Sequence, residues 1–235
     1  MSSKLFFRGP YQPRRALAGL FFTRFQSTIA GSSTSPAIDF YKLFPKTFPN
    51  GAPPNSDFKV NSKLLRKEYR ALQASNHPDL VDMANSSKAT EFSSLLNKAY
   101  STLNDPLTRS QYLLKKNAKI DLNEEGASQR YQLQSQETLL DIMEIHEQLE
   151  EVKNEEDVAR MEKENKKRVD EAIESLQGLY KKLEVEVEGE SSSNQEERQE
   201  LYELIAAETV KLKYWVNIHN ALKQWEAGCP VTLTH

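Results

Sequence analysis

Cysteine occurs once in these 235 residues, at Cys229, which rules out an intramolecular disulfide and any multi-cysteine zinc site. There is no Gly-rich phosphate loop, no Gly-x-Ser-x-Gly elbow and no His-Glu-x-x-His pair. The Glu-x-x-His pairs of a carboxylate-bridged metal site are missing too, since Met143 stands three residues before His146 and Val216 three before His219. No enzyme signature survives, and no resident metal or cofactor is expected. Proline is absent from residues 107–229 and glycine is rare there, so the second half is predicted to be almost wholly helical. Acid is the last absence. Residues 1–38 contain no Asp or Glu but do contain Lys4, Arg8, Arg14, Arg15 and Arg24; five positive charges there against −3 overall leave −8 for the rest. A body that acidic argues against nonspecific nucleic-acid binding.

The acid-free start has the make-up of a mitochondrial targeting peptide: arginines and serines, with paired phenylalanines at Phe6-Phe7 and Phe21-Phe22. Its longest apolar run, residues 16–22, is too short to span a bilayer. A secretory signal would have its apolar core broken by Arg14-Arg15 and Arg24, and a disordered basic tail is the plain alternative. Removal is expected between Arg24 and Ser35, with a Ser/Pro linker over residues 32–37 completing a leader of residues 1–37.

What the chain does contain is most specific at one tripeptide. Residues 61–76, NSKLLRKEYRALQASN, place Leu64, Leu65, Tyr69 and Leu72 on one side of a helix and Lys63, Arg66, Lys67 and Arg70 on the others, with Asn61 as N-cap. His77-Pro78-Asp79 follows directly. Pro78 cannot continue the helix and pushes His77 out of the α region, so the tripeptide sits on a forced turn beside a cationic surface. A polar loop runs on to Ser87. Then Phe92, Leu95, Leu96, Ala99, Tyr100 and Leu103 form a second helical stripe that stops at Asp105-Pro106. A short helix over residues 107–116 carries Tyr112, Leu113 and Leu114. Two striped helices joined by a loop read as an antiparallel hairpin, closed by short helices on either side.

Beyond it, Gly126 and residues 189–194 are the natural breaks. They delimit a helical region over 129–187, bent or broken near Asn154 or Asn165, and another over 195–225. Three packed helices fit this better than a long coiled coil, because the apolar spacing holds no strict heptad. Ile142, Ile145, Leu149 and Val152 make one core stripe; Leu201, Leu204, Leu212, Trp215, Ile218, Leu222 and Trp225 make another. Leu139 and Met143 are one turn apart but rotated by about 60° to 100° from Ile142. Tyr214 is rotated away from Trp215, with Val210 one turn before it. Periodicity leaves two readings of these off-stripe residues open: an exposed patch for a partner, or a wide buried face.

The assembled pieces resemble a J-domain, and DFYKLF, RKEYRALQASNHPD, LLNKAYSTLNDPLTRSQYLL and LLDIMEIHEQLEE are similar to the HscB type, the J-protein of iron–sulfur cluster biogenesis. The resemblance covers roughly residues 39–226. Animal members carry an N-terminal CxxC zinc module that this chain lacks, so it is similar to the fungal form. The resemblance implies an all-α fold, with a J-domain over residues 38–116 and a C-terminal three-helix bundle over 127–227. It also implies a co-chaperone of the mitochondrial matrix that is not itself an enzyme and has two partners. One is a DnaK-type chaperone, whose ATPase is stimulated through His77, Pro78 and Asp79 and the basic face of Lys63, Arg66, Lys67 and Arg70; Asp79 would pair with a partner arginine. The other is the iron–sulfur scaffold protein, held by a hydrophobic patch at Leu139, Met143 and Tyr214, with Leu140 beside them. Neither nucleic acid nor membrane is an expected partner. Rival readings are a J-protein serving another client, a structural helical adaptor with an incidental tripeptide, and a His77–Asp79 acid/base dyad. The last would need a pocket and a held proton path that no neighbouring polar constellation supplies.

Overall fold

The computed structural model describes residues 38–76, 86–132, 136–188, 194–227 and 231. The expected leader and the His77-Pro78-Asp79 turn lie outside the described residues. All regular structure among the described residues is helical: a 3-10 turn at Phe40–Leu43, then α1 (Ser62–Ser75), α2 (Ser86–Asn104), α3 (Pro106–Asn117), α4 (Ala127–Gln132), α5 (Gln136–Glu150), α6 (Glu155–Glu188) and α7 (Asn194–Lys223).

Local chemistry sets the ends of these helices. The Asn61 side chain accepts from the Leu64 amide at 3.1 Å and so starts α1. Asp105 does the same for α3, accepting from the Thr108 amide at 3.1 Å with Pro106 in the first turn, so one Asp-Pro pair both ends α2 and begins α3. The long helical region breaks at Asn154, whose side chain accepts from the Asp157 amide at 2.9 Å; Glu155, Glu156 and Asp157 then fill the first turn of α6, where the helix dipole favours acid. There is no break at Asn165. That residue continues α6, is 1% exposed, and donates from Nδ2 to the Trp215 carbonyl at 2.8 Å.

In the first half, α1 and α2 pack as a hairpin with α3 against α2, around Leu65, Leu96, Leu103, Leu113 and Leu114. The 3-10 turn is tied to α3. Phe40 stacks on Tyr112 at 4.7 Å, and Asp39 caps the turn while accepting from Tyr112 Oη at 3.2 Å and Lys116 Nζ at 2.7 Å. In the second half, α6 and α7 form a long antiparallel hairpin, and α5 buries Ile142, Ile145 and Leu149 in the same core.

Two core assignments need correction. Leu204, placed on the α7 core stripe by its spacing, is 52% exposed, while Val210, whose off-stripe position left its burial open, is buried. The reason is that α7 packs against α3, α4 and α6 at once. Its buried surface therefore wraps most of the helix, through Ile205, Ala206, Thr209, Val210 and Leu212, and Leu204 falls outside those contacts. Leu64 likewise stands at the edge of the α1 stripe and is exposed, while Leu65 takes the centre.

A single buried apolar cluster runs through both halves. At their junction Phe58 is fully buried, stacked on Tyr180 of α6 at 5.0 Å with the Arg109 guanidinium 4.7 Å from its centroid. Arg109 donates to the Leu103 carbonyl at 2.6 Å, and burial pushes its guanidinium below its ordinary range while Tyr41 and Asp105 pull it back. The Ser110 and Thr209 hydroxyls meet at 2.6 Å across α3 and α7. The segment leading into α1 adds its own ties: Gln177 accepts from the Lys59 amide at 2.7 Å and donates to Asp57 at 2.9 Å, and Lys59 pairs with Glu174.

Candidate functional site

Two surfaces carry the expected site residues, and the structure treats them differently. On α1, Lys63, Arg66, Lys67 and Arg70 are all exposed. Glu68 is the only acid of that helix, and it does not screen them. Its carboxylate is turned inward, 6% exposed, and accepts from the Lys46 amide at 2.9 Å, the Thr47 amide at 2.8 Å and the Thr47 hydroxyl at 2.6 Å. The charge exposed on α1 is thus all positive. Glu68 escaped the sequence reading, though a signal existed: it sits three residues after Leu65 and four before Leu72, inside the apolar stripe, where a charge must find partners.

The C-terminal end of α1, from which the tripeptide departs, is pinned to α2. Tyr69 stacks on Tyr100 at 4.3 Å and donates to Asn97 at 2.6 Å. Gln73 donates to the same Asn97 oxygen at 2.5 Å and accepts from Ser93 at 2.8 Å. A hydrogen bond with Tyr100 pushes the Arg66 guanidinium further up. Asn76 closes the helix by donating from Nδ2 to the Leu72 carbonyl at 2.7 Å.

On α5 the arrangement is reversed. Leu139, Leu140 and Met143 are 40%, 66% and 55% exposed, on the side away from the buried Ile142, Ile145 and Leu149. The wide buried face is therefore not what these three residues form. Tyr214 lies on a different helix, α7, half-buried and packed against the core. Four cations are thus gathered on α1 and three apolar side chains on α5, while Tyr214 is contributed separately. Beside α5 a trough of about 360 Å³ opens between it and the α6–α7 hairpin, with Trp215 and Ile145 in its walls.

Among the described residues no group of three or more His, Cys, Asp or Glu side chains is placed to hold a metal ion. No helix of the described residues is long and apolar enough to cross a membrane. What these surfaces offer is binding: a cationic helix face and an uncovered apolar one.

Comparison with known proteins agrees on both halves. Residues 51–112 match the DnaJ domain family and residues 134–223 the HSCB C-terminal oligomerisation domain family. The chain is 37% identical to the mitochondrial J-type co-chaperone JAC1 of Saccharomyces cerevisiae, over 83% of this chain and 93% of that protein. It is 29% identical to the human iron–sulfur cluster co-chaperone protein HscB, over 72% of this chain and 64% of that one. Among solved structures, the yeast Jac1 co-chaperone superposes with a TM-score of 0.59 at 36% identity, covering 81% of this chain and 98% of that chain. Human HscB superposes with the same TM-score of 0.59 at 25% identity, covering 92% and 93%.

Proposed function

This chain belongs to the Jac1/HscB family of J-type co-chaperones of iron–sulfur cluster biogenesis, and from that premise we propose how its two surfaces divide the work. The C-terminal helical domain, residues 127–227, binds the iron–sulfur scaffold protein through Leu139, Leu140, Met143 and Tyr214. The J-domain, residues 38–116, docks on a mitochondrial DnaK-type chaperone through His77, Pro78 and Asp79 with Lys63, Arg66, Lys67 and Arg70. Residues 1–37 direct the protein to the mitochondrial matrix. The chain needs no cofactor of its own, and the cluster travels on the scaffold as cargo.

The observation that carries this reading is the apolar face of α5. Three large hydrophobic side chains within five residues remain uncovered in a helix that buries its other face well. Contiguous exposed apolar surface marks a partner site, and a few desolvated anchors supply most of the binding energy at such a site. Tyr214 of α7, half-buried, would add an aromatic anchor to the apolar side chains of α5.

On the other surface, the four exposed cations of α1 speed encounter with an acidic chaperone face, and Asp79 pairs directionally with an arginine there. Holding scaffold and chaperone on one body converts their meeting into an intramolecular event. ATP hydrolysis then locks the chaperone on the scaffold and promotes cluster transfer.

The test is single-turnover ATP hydrolysis by a mitochondrial DnaK-type chaperone, with this protein and purified scaffold added separately and together. Synergistic stimulation is the expected outcome. Stimulation indifferent to scaffold would keep the J-domain role and replace the iron–sulfur client with another. No stimulation would return the chain to a structural adaptor.

A further inference from the structure

The methionines of the chain are Met1, Met83, Met143 and Met161, and the last two lie among the described residues. They stand in opposite places. Met161 of α6 is 5% exposed in the core, whereas Met143 of α5 is 55% exposed in the uncovered apolar face. Leu140 precedes it by three residues and Leu139 by four, so both lie one helical turn away on the same side. Ile142, Ile145 and Leu149, not Met143, carry the packing of α5 against the bundle.

An adaptable apolar anchor is reason enough for a thioether at a docking surface. Its exposure adds a property that the two leucines lack. A thioether within reach of solvent is oxidised by hydrogen peroxide. The sulfur attacks a peroxide oxygen, and an S–O bond forms as the O–O bond breaks. Sulfur gives up two electrons, and the hydroxide released takes up a proton and leaves as water. The product is a sulfoxide, polar and chiral where the thioether was apolar. In the free chain that change spares the fold, since the Met143 side chain already meets water. Under a partner it does not spare binding. The sulfoxide oxygen would be desolvated beside Leu139 and Leu140, which offer no side-chain hydrogen-bond donor.

We propose that Met143 is a peroxide-sensitive modification site that switches the scaffold-binding surface off. Oxidation to the sulfoxide weakens scaffold binding while leaving the bundle folded and the J-domain active. Reduction by a thiol-dependent sulfoxide reductase reverses it: two thiols become a disulfide, the oxygen leaves as water and the thioether returns. Bound scaffold, by covering the sulfur, slows its oxidation. The inference rests on the scaffold reading above and adds to it a chemical control of when the surface is available.

The experiment treats the full chain, carrying Cys229→Ser to remove the competing thiol, with hydrogen peroxide, which is destroyed before any assay. Peptide mass spectrometry should find the added oxygen on Met143 well before Met161, and later when scaffold is present. Calorimetric titration with the purified iron–sulfur scaffold protein should show affinity about tenfold weaker after oxidation, recovered by sulfoxide reductases acting on both epimers. The thermal midpoint and chaperone stimulation without scaffold should stay as they were. Met143→Leu, whatever its own starting affinity, should bind equally before and after peroxide. An equal loss in that variant would place the damage elsewhere and overturn the assignment, as would Met143 sulfoxide binding like the untreated chain. Leu139→Ala with Met143→Ala, untreated, is run in parallel. If that pair fails to weaken scaffold binding, the proposed function is wrong. If it weakens binding while Met143 sulfoxide does not, only the switch is overturned.

Discussion

Helices α1 and α5 are nearly equal in length, 14 and 15 residues, and each buries one face and shows the other. They show opposite things. The open face of α1 is charge: Lys63, Arg66, Lys67 and Arg70, with Glu68 withdrawn into the core. The open face of α5 is Leu139, Leu140 and Met143. Exposed charge is the ordinary condition of a helix in water, so the α1 face says little until the tripeptide beside it is considered. Exposed apolar surface on a helix that also packs well is not ordinary, and the α5 face is informative by itself once its burial is known. A motif gives one surface its meaning, and an incomplete burial gives the other its meaning.

The comparison breaks most sharply at the tripeptide. Asp79→Asn, and equally His77→Gln, should reduce chaperone stimulation to the background rate while scaffold affinity stays within about twofold, because a neutral amide cannot keep a charge-assisted arginine pair. Next in size, Ala at Leu139, Met143 and Tyr214 together should cost about a hundredfold in scaffold affinity, ~2.7 kcal/mol, and leave stimulation without scaffold intact. Titration calorimetry and single-turnover hydrolysis read the two quantities independently. Should either set damage both functions equally, the division between α1 and α5 is wrong.

The smallest effect sharpens the comparison by testing what joins the two surfaces. Gln177→Ala removes the acceptor of the Lys59 amide and the donor to Asp57. It should cost ~1–3 kcal/mol of stability, the range for an unsatisfied buried group, and the thermal transition should remain single. Two separated transitions in the parent protein would show that the halves melt apart despite their shared core.

Much of the fold was legible because its signals are local. Asn61, Asp105-Pro106 and Asn154 end or start helices through bonds to residues two to four places away, so a short window of sequence suffices. The helical second half followed from residues 107–229 having no proline and little glycine, and the all-α class from the family resemblance. The site was legible in part. The four cations of α1 are where periodicity put them, and Leu139, Leu140 and Met143 are exposed, an outcome that periodicity had left undecided. The tripeptide lies outside the described residues, so its geometry adds nothing to what its sequence says.

What escaped the sequence are residues whose roles depend on neighbours far along the chain. Asn165 looked like a helix breaker until the Trp215 carbonyl, 50 residues away, gave its amide a partner. Glu68 looked like one more surface charge until the Lys46 and Thr47 amides closed on it. Leu204 is exposed and the off-stripe Val210 buried because α7 is surrounded on several sides, and a one-stripe helix wheel cannot represent that. The sequence by itself determined helix positions and the cationic face, since capping bonds, proline geometry and side-chain spacing act within a few residues, and its motifs carried the family by resemblance. Only tertiary structure decided which apolar residues stay uncovered, how Phe58 locks the two halves together and that a charged trough opens beside Trp215. Burial is a property of what packs against a residue, and no local pattern contains that.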